Sequence, residues 1–118
     1  MEQPQIEDHG SHLEISLSAE GFGEGSLVDF LVAAAQRFGP KPILIICTDP
    51  AYAIDTTRAY DIGVGLANKL PHSRIAIALT RRRSSSIDRF TELVAENRGT
   101  TVRYFDSVEL ARAWLGVS

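Results

Sequence analysis

The chain has 118 residues, of which 44% are hydrophobic and 23% charged, and its formal net charge is -3 at pH 7. This length suits one domain with a substantial core, and the composition excludes a largely disordered chain. The acidic balance argues against nucleic acid as a partner, and no apolar run approaches the roughly 18 residues of a membrane span, so membrane insertion is not expected.

The hydrophobic pattern predicts a strand followed by a helix, four times over. Leu13 to Leu17 alternates, with Glu14 and Ser16 on its polar face, as in a half-buried strand. Gln5-Ile6-Glu7 is predicted to pair with it as an edge strand. Residues 1–11 are therefore interpreted as a tail or edge strand and residues 12–116 as the domain. The remaining predicted strands are Ile43–Cys47, Ile75–Leu79 and Thr101–Phe105.

Helical periodicity predicts helices over 26–38, from 56 or 57 to 70, from 87 to about 97, and after Asp106, which is expected to cap the last one. Gly63 and Gly65 are expected to let the second helix pack closely on the sheet. The expected inward residues include Tyr60 and Leu110, and the expected exposed ones include Asp88 and Glu92.

Because the later strands are joined through helices, right-handed crossovers and a mostly parallel sheet of four or five strands are predicted. The fold class is α/β, with about four helices. The carboxyl edge of such a sheet is where ligands usually bind.

A run of three arginines and three serines falls at that edge, between the third main strand and its following helix. Guanidinium groups grip phosphate bidentately, and a helix N-terminus favours anions. The run predicts an anion-binding site, with a solvated surface loop as the alternative. Its residues are Arg81, Arg82, Arg83, Ser84, Ser85 and Ser86.

No catalytic, cofactor or metal site is predicted elsewhere. Glycines at 21, 23 and 25 have the wrong spacing for a dinucleotide loop. His9 and His12 lie near each other, but no third histidine or cysteine is close in sequence, so no metal site is predicted. Cys47 lies in an apolar strand, which indicates that it packs as a small hydrophobe. It is the single cysteine and cannot form an internal disulfide, so a reducing cytoplasm is expected. No Ser-His-acid set is expected, and the protein is predicted not to be an enzyme.

One alternative function uses the same edge of the sheet. Asp49 follows a buried strand and Thr80 ends the next one, as in phosphoryl-accepting receiver domains. The magnesium-binding acids and the lysine of a receiver are missing. A small α/β phosphotransfer or anion-binding enzyme component nevertheless remains the alternative to a binding module.

The last twenty residues of the domain, NRGTTVRYFDSVELARAWLG (97–116), contain a short strand ending in Phe105 and a helix closing on Ala-x-x-Trp-Leu. This stretch resembles the ending of SpoIIAA-like, or STAS-like, bacterial proteins, and the order of elements fits over roughly residues 12–116. The resemblance implies a small mixed sheet with an antiparallel N-terminal edge. It also implies a non-enzymatic regulatory or binding module.

In that family, anti-sigma-factor antagonists are switched by phosphorylation of a serine at a helix start. The resemblance places Thr56 or Thr57 at the comparable position, although Arg58-Ala59 replaces the glycine and leucine of the motif. The implied partners are a protein or a small anionic ligand. Residues 1–55 carry nine acids and two bases, and residues 56–118 carry six acids and ten bases, a split that leaves a homodimer open.

Overall fold

Five strands form one sheet in the order in which they occur in the chain. The computed structural model describes residues 5–17, 26–39, 41–47, 56–80 and 86–116. In those residues the elements are β1 (Gln5–Asp8), β2 (Leu13–Leu17), α1 (Ser26–Phe38), β3 (Ile43–Cys47), α2 (Thr56–Lys69), β4 (Arg74–Leu79), α3 (Ser86–Glu96), β5 (Thr101–Phe105) and α4 (Val108–Leu115). The predicted α/β class and the predicted helix and strand order are confirmed.

The sheet is mixed because its first strand runs against the others. β1 pairs antiparallel with β2 through a tight connection, in which the His9 N–H donates to the His12 carbonyl at 3.0 Å. The pairings of β2 with β3, β3 with β4 and β4 with β5 are all parallel. The edge strand expected from Gln5-Ile6-Glu7 is therefore present, and it extends to Asp8.

The sequential strand order places three helices on the same face of the sheet. Right-handed crossovers between neighbouring parallel strands must all pass over one side. α1, α2 and α3 accordingly bury Leu31, Leu66 and Ala95 in one core with Leu13 and Ile15 of β2 and the odd-numbered side chains of β3 and β4. α4 covers the other face, where Ala111 and Leu115 pack on Leu44, Ala76 and Ala78.

The two glycines of α2 allow contact between helices. A Cβ on Gly63 would lie 2.8 Å from Val94 Cγ1 of α3, which is inside contact distance. A Cβ on Gly65 would lie 3.2 Å from Val28 Cγ2 of α1. The expectation of close packing holds, but the close neighbours are the flanking helices and not the sheet.

Several side chains lie on the opposite side from the one expected. Tyr60 and Leu110 are exposed, whereas Asp88 and Glu92 are buried. The Glu92 Oε2 accepts a hydrogen bond of 2.7 Å from the Tyr104 N–H of β5. Glu92 thus satisfies a backbone donor on an edge strand, a role that helical periodicity alone does not reveal.

The caps of α4 are also clear. Ser107, and not Asp106, is the N-cap, and its hydroxyl accepts from the Leu110 N–H at 3.2 Å. At the other end Gly116 has φ 79°, the left-handed conformation that suits glycine. The Arg74 guanidinium donates to the Trp114 carbonyl at 2.6 Å and lies 4.6 Å from the centre of its ring. α4 is therefore anchored at both ends.

Candidate functional site

Charged and imidazole side chains meet where the β1–β2 hairpin approaches α4. Glu14 lies on β2, on the face that α4 covers, and His12 precedes it by two residues and so shares that face. Glu7 lies opposite Glu14 in the antiparallel register. We call the group comprising Glu7, His9, Ser11, His12, Glu14 and Arg112 the His12 cluster.

Glu14 is the centre of the cluster. Its carboxylate accepts two hydrogen bonds from Arg112 of α4, from Nε to Oε2 at 3.0 Å and from Nη2 to Oε1 at 2.9 Å. Glu14 is only 5% exposed, so an unpaired charge here would be costly. The bidentate guanidinium of Arg112 compensates the buried negative charge of Glu14.

The electrostatics of Glu14 follow from these contacts. The hydrogen bonds from Arg112 lower the pKa of Glu14 from 4.5 to about 2, with a smaller contribution from His12 and against the opposing effect of burial. Glu14 is therefore a carboxylate throughout the neutral and mildly acidic range. It is a fixed negative charge beneath the hairpin.

His12 links this charge to the surface. Its Nε2 lies 2.8 Å from Glu14 Oε2, and its Nδ1 lies 2.9 Å from the hydroxyl of Ser11, which is exposed. Since ionised Glu14 only accepts, the Nε2–H of His12 donates to it. The expectation that no serine, histidine and acid would come together was wrong, because these three form one hydrogen-bonded chain.

His9 completes the arrangement above His12. The two imidazole rings stack with centroids 5.0 Å apart and an interplanar angle of 10°. The His9 Nε2 lies 3.8 Å from Glu14 Oε1 and 3.6 Å from Glu7 Oε1. One ligand atom each of His9, His12 and Glu14 fall within 4.8 Å of one another.

The predicted anion site falls mostly outside the described residues. Residues 81–85, and with them all three arginines of the run, lie outside, as does Asp49. Ser86 is the first residue of α3 and is exposed. Thr56 begins α2, and Thr57 beside it is exposed. Thr57 and Ser86 thus both stand at helix starts on the carboxyl edge of the sheet.

Thr80 is held by the backbone at the same edge. Its N–H and its hydroxyl both donate to the Cys47 carbonyl, at 3.1 and 3.3 Å. These bonds tie the end of β4 to the end of β3. Thr80 therefore has a structural role in joining β3 to β4, which does not depend on the phosphotransfer role suggested by its position.

Sequence reasoning missed the His12 cluster because its members were assigned separately. Alternation predicts Glu14 on the polar face of a strand, and the two histidines alone predict no metal site because no third histidine or cysteine is close in sequence. The available signal was the spacing His12-x-Glu14, which puts both side chains on one face of a strand. Arg112 lies 98 residues away from Glu14, and local pattern gives no sign of their contact.

Comparison with models of protein families, with curated proteins and with solved structures found no match. None of the helices in the described residues is long and apolar enough to cross a bilayer.

Proposed function

We propose that the protein is a bacterial, cytoplasmic STAS-like module that works by binding and performs no chemistry of its own. Its recognition surface is the carboxyl edge of the sheet, where α2 and α3 begin, and it takes a protein partner or a small anionic ligand. The observation that carries this proposal is the exposure of Thr57 and Ser86 at two adjacent helix starts.

The architecture supports the STAS-like assignment in two respects. The resemblance implied an antiparallel N-terminal edge strand on an otherwise parallel sheet, and β1 has that direction. It also implied a last helix closing on Trp114-Leu115. In the structure Leu115 is buried under the sheet and Trp114 packs on Phe105, with ring centroids 5.7 Å apart.

The helix starts support an anionic ligand or a phosphorylated state. A helix N-terminus has unpaired N–H groups and a partial positive charge, so it favours phosphate. Three arginines precede Ser86 closely in the sequence and add donors of matching geometry. Phosphorylation of Thr56 or Thr57 would place the same charge at the start of α2 and change how a partner docks.

The anion-binding part is tested with inorganic phosphate and pyrophosphate in amide NMR titrations. We expect shifts concentrated at Thr57, Ser86 and their neighbours, and loss of these shifts when Arg81, Arg82 and Arg83 are replaced by alanine. Arg37→Ala, which removes an exposed arginine near the end of α1, is the matched control and should leave them unchanged. Equal weak shifts in all three proteins would contradict an anion site at this edge.

The absence of chemistry is tested by incubation with small phosphodonors and intact-mass measurement. We expect no covalent adduct from the phosphodonor alone. An adduct mapped to Asp49 would overturn the proposal in favour of a phosphotransfer component. Phosphate found only on Thr56 or Thr57, after exposure to a protein kinase, would instead support the switch implied by the resemblance.

A further inference from the structure

We propose that His9, His12 and Glu14 form a binding site for a divalent transition-metal ion of the zinc class. This site lies on the β1–β2 hairpin, where the Arg112 side chain of α4 reaches Glu14, and is independent of the carboxyl edge. Its ligand atoms, one from each residue, already lie within 4.8 Å of one another.

The donor set suits this class of metal. Two imidazole nitrogens and one carboxylate are the ligands of many zinc sites that keep an open position. Imidazole favours zinc, copper, iron and nickel over calcium and magnesium, which prefer oxygen. Glu7, whose Oε1 lies 3.6 Å from His9 Nε2, is available as a fourth ligand, and water is the alternative.

The distances require only small movements. Bonds of about 2.0–2.1 Å to a tetrahedral zinc ion place neighbouring ligand atoms about 3.3 Å apart. Glu14 Oε2 lies 2.8 Å from His12 Nε2, and Glu14 Oε1 lies 3.8 Å from His9 Nε2, so each imidazole now faces a different oxygen of the same carboxylate. His9 is exposed in the hairpin turn and can adjust its side chain, while His12 and Glu14 are buried and held.

Neighbouring residues form hydrogen bonds to the ligating side chains and so fix their orientation, as is common in metal sites. Arg112 fixes the carboxylate of Glu14 through both oxygens, and Ser11 contacts the second nitrogen of His12 at 2.9 Å. The positive charge of Arg112 opposes a second cation. We therefore expect a dissociation constant in the micromolar range and not the nanomolar range of closed structural sites.

Metal binding changes the position of one proton on His12. In the metal-free protein the Nε2–H donates to Glu14, and Nδ1 lies 2.9 Å from the Ser11 hydroxyl oxygen. When the ion takes the lone pair of Nε2, the proton resides on Nδ1 and donates to the Ser11 oxygen. The ring proton of His12 therefore lies on Nδ1 in the metal-bound protein.

The test uses the full chain, free of any polyhistidine tag, titrated with Zn²⁺ or Co²⁺ at pH 7 in calorimetry. We expect one ion per chain and intense visible absorption from four-coordinate Co²⁺. His9→Ala should weaken binding at least about tenfold. His72→Ala removes the remaining histidine, which is exposed in the turn between α2 and β4, and should leave affinity unchanged.

The tautomer of His12 provides a second readout in imidazole ¹⁵N NMR. We expect the signal of Nε2–H to be replaced by that of Nδ1–H on addition of Zn²⁺. Circular dichroism of His9→Ala, an exposed site, verifies that the fold is retained. The proposal is overturned if a tenfold molar excess of Zn²⁺ over micromolar protein gives neither heat nor a shift of the His12 signals. It is also overturned if His9→Ala binds Zn²⁺ as well as the parent does.

Discussion

At the scale of single residues, Glu14 is a polar residue of a strand that is buried and ion-paired instead of exposed to solvent. Strand alternation places it on the face opposite Leu13 and Ile15, and that face was expected to meet solvent. α4 covers it instead, and Arg112 supplies the charge that a buried carboxylate requires. The residue is therefore a determinant of stability whose contribution depends on its remaining ionised.

Replacing Glu14 with glutamine should lower the free energy of unfolding by about 2–3 kcal/mol at pH 7, because Arg112 loses its bidentate partner. Since the pKa of Glu14 is lowered from 4.5 to about 2 in the folded state, its stabilisation is present above pH 4.5 and is lost as the pH falls toward 2. The difference between Glu14→Gln and the parent in urea unfolding should therefore shrink over that window.

Glu7→Gln is the matched control for this prediction. Glu7 lies directly opposite Glu14 in the sheet, but its side chain is 74% exposed, so its replacement should change stability by no more than about 0.5 kcal/mol. A difference between Glu14→Gln and the parent that stayed constant from pH 7 to pH 3 would contradict the role assigned to ionisation.

At the scale of elements, α2 and α3 are joined by a contact that only glycine permits. A Cβ on Gly63 would lie 2.8 Å from Val94 Cγ1 and 3.2 Å from the Thr91 carbonyl oxygen of α3. The first neighbour is a buried side chain and the second is backbone, so neither can move easily. The separation of the two helices is therefore set by the absence of one methyl group.

Gly63→Ala should destabilise the protein by about 1–3 kcal/mol, even though alanine is the better helix former by about 1 kcal/mol. Gly65→Ala should cost much less, because its neighbour is a terminal methyl of half-buried Val28 at 3.2 Å. Thermal melts of the two variants measure this difference.

A double-mutant cycle with Val94→Ala separates the overlap from other effects of Gly63→Ala. We expect Gly63→Ala to cost less in the Val94→Ala background, since the methyl groups it would overlap are gone. Strictly additive losses would mean that another contact limits this position.

The local hydrophobic pattern predicts the bounds of some elements but not the position of every side chain. The bounds of β3 follow from five consecutive apolar residues, Ile43 to Cys47, and those of α1 from the inward stripe that includes Leu31 and Ala34. Tyr60 and Leu110 were placed inward because periodicity identifies a stripe but not its edges. The His12 cluster could not be predicted as a unit, since its geometry depends on where α4 docks.

At the scale of the whole molecule, the two faces of the sheet are covered unequally. Three helices lie on one face in the described residues, whereas α4 alone covers β3, β4 and β5 on the other. Leu115 is the largest side chain that α4 buries completely or nearly so. The second layer of the fold therefore depends on a helix of 8 residues.

Leu115→Ala should lower the free energy of unfolding by about 2–4 kcal/mol, because it leaves a cavity between α4 and the sheet. Leu110→Ala on the same helix should have an effect within about 0.5 kcal/mol, since Leu110 is 57% exposed. The fluorescence of the single tryptophan, Trp114, during urea unfolding reports on α4 directly. Equal losses in the two variants would show that α4 does not dock through this face.

The contact between Glu14 and Arg112 also has a consequence for biosynthesis, because the two residues are separated by 98 positions. At roughly 5–20 residues per second, a ribosome makes Arg112 about 5–20 s after Glu14. Until α4 has been made, the carboxylate of Glu14 lacks its guanidinium partner and stays hydrated. α4, which is translated after all five strands, thus completes the environment of Glu14 on β2.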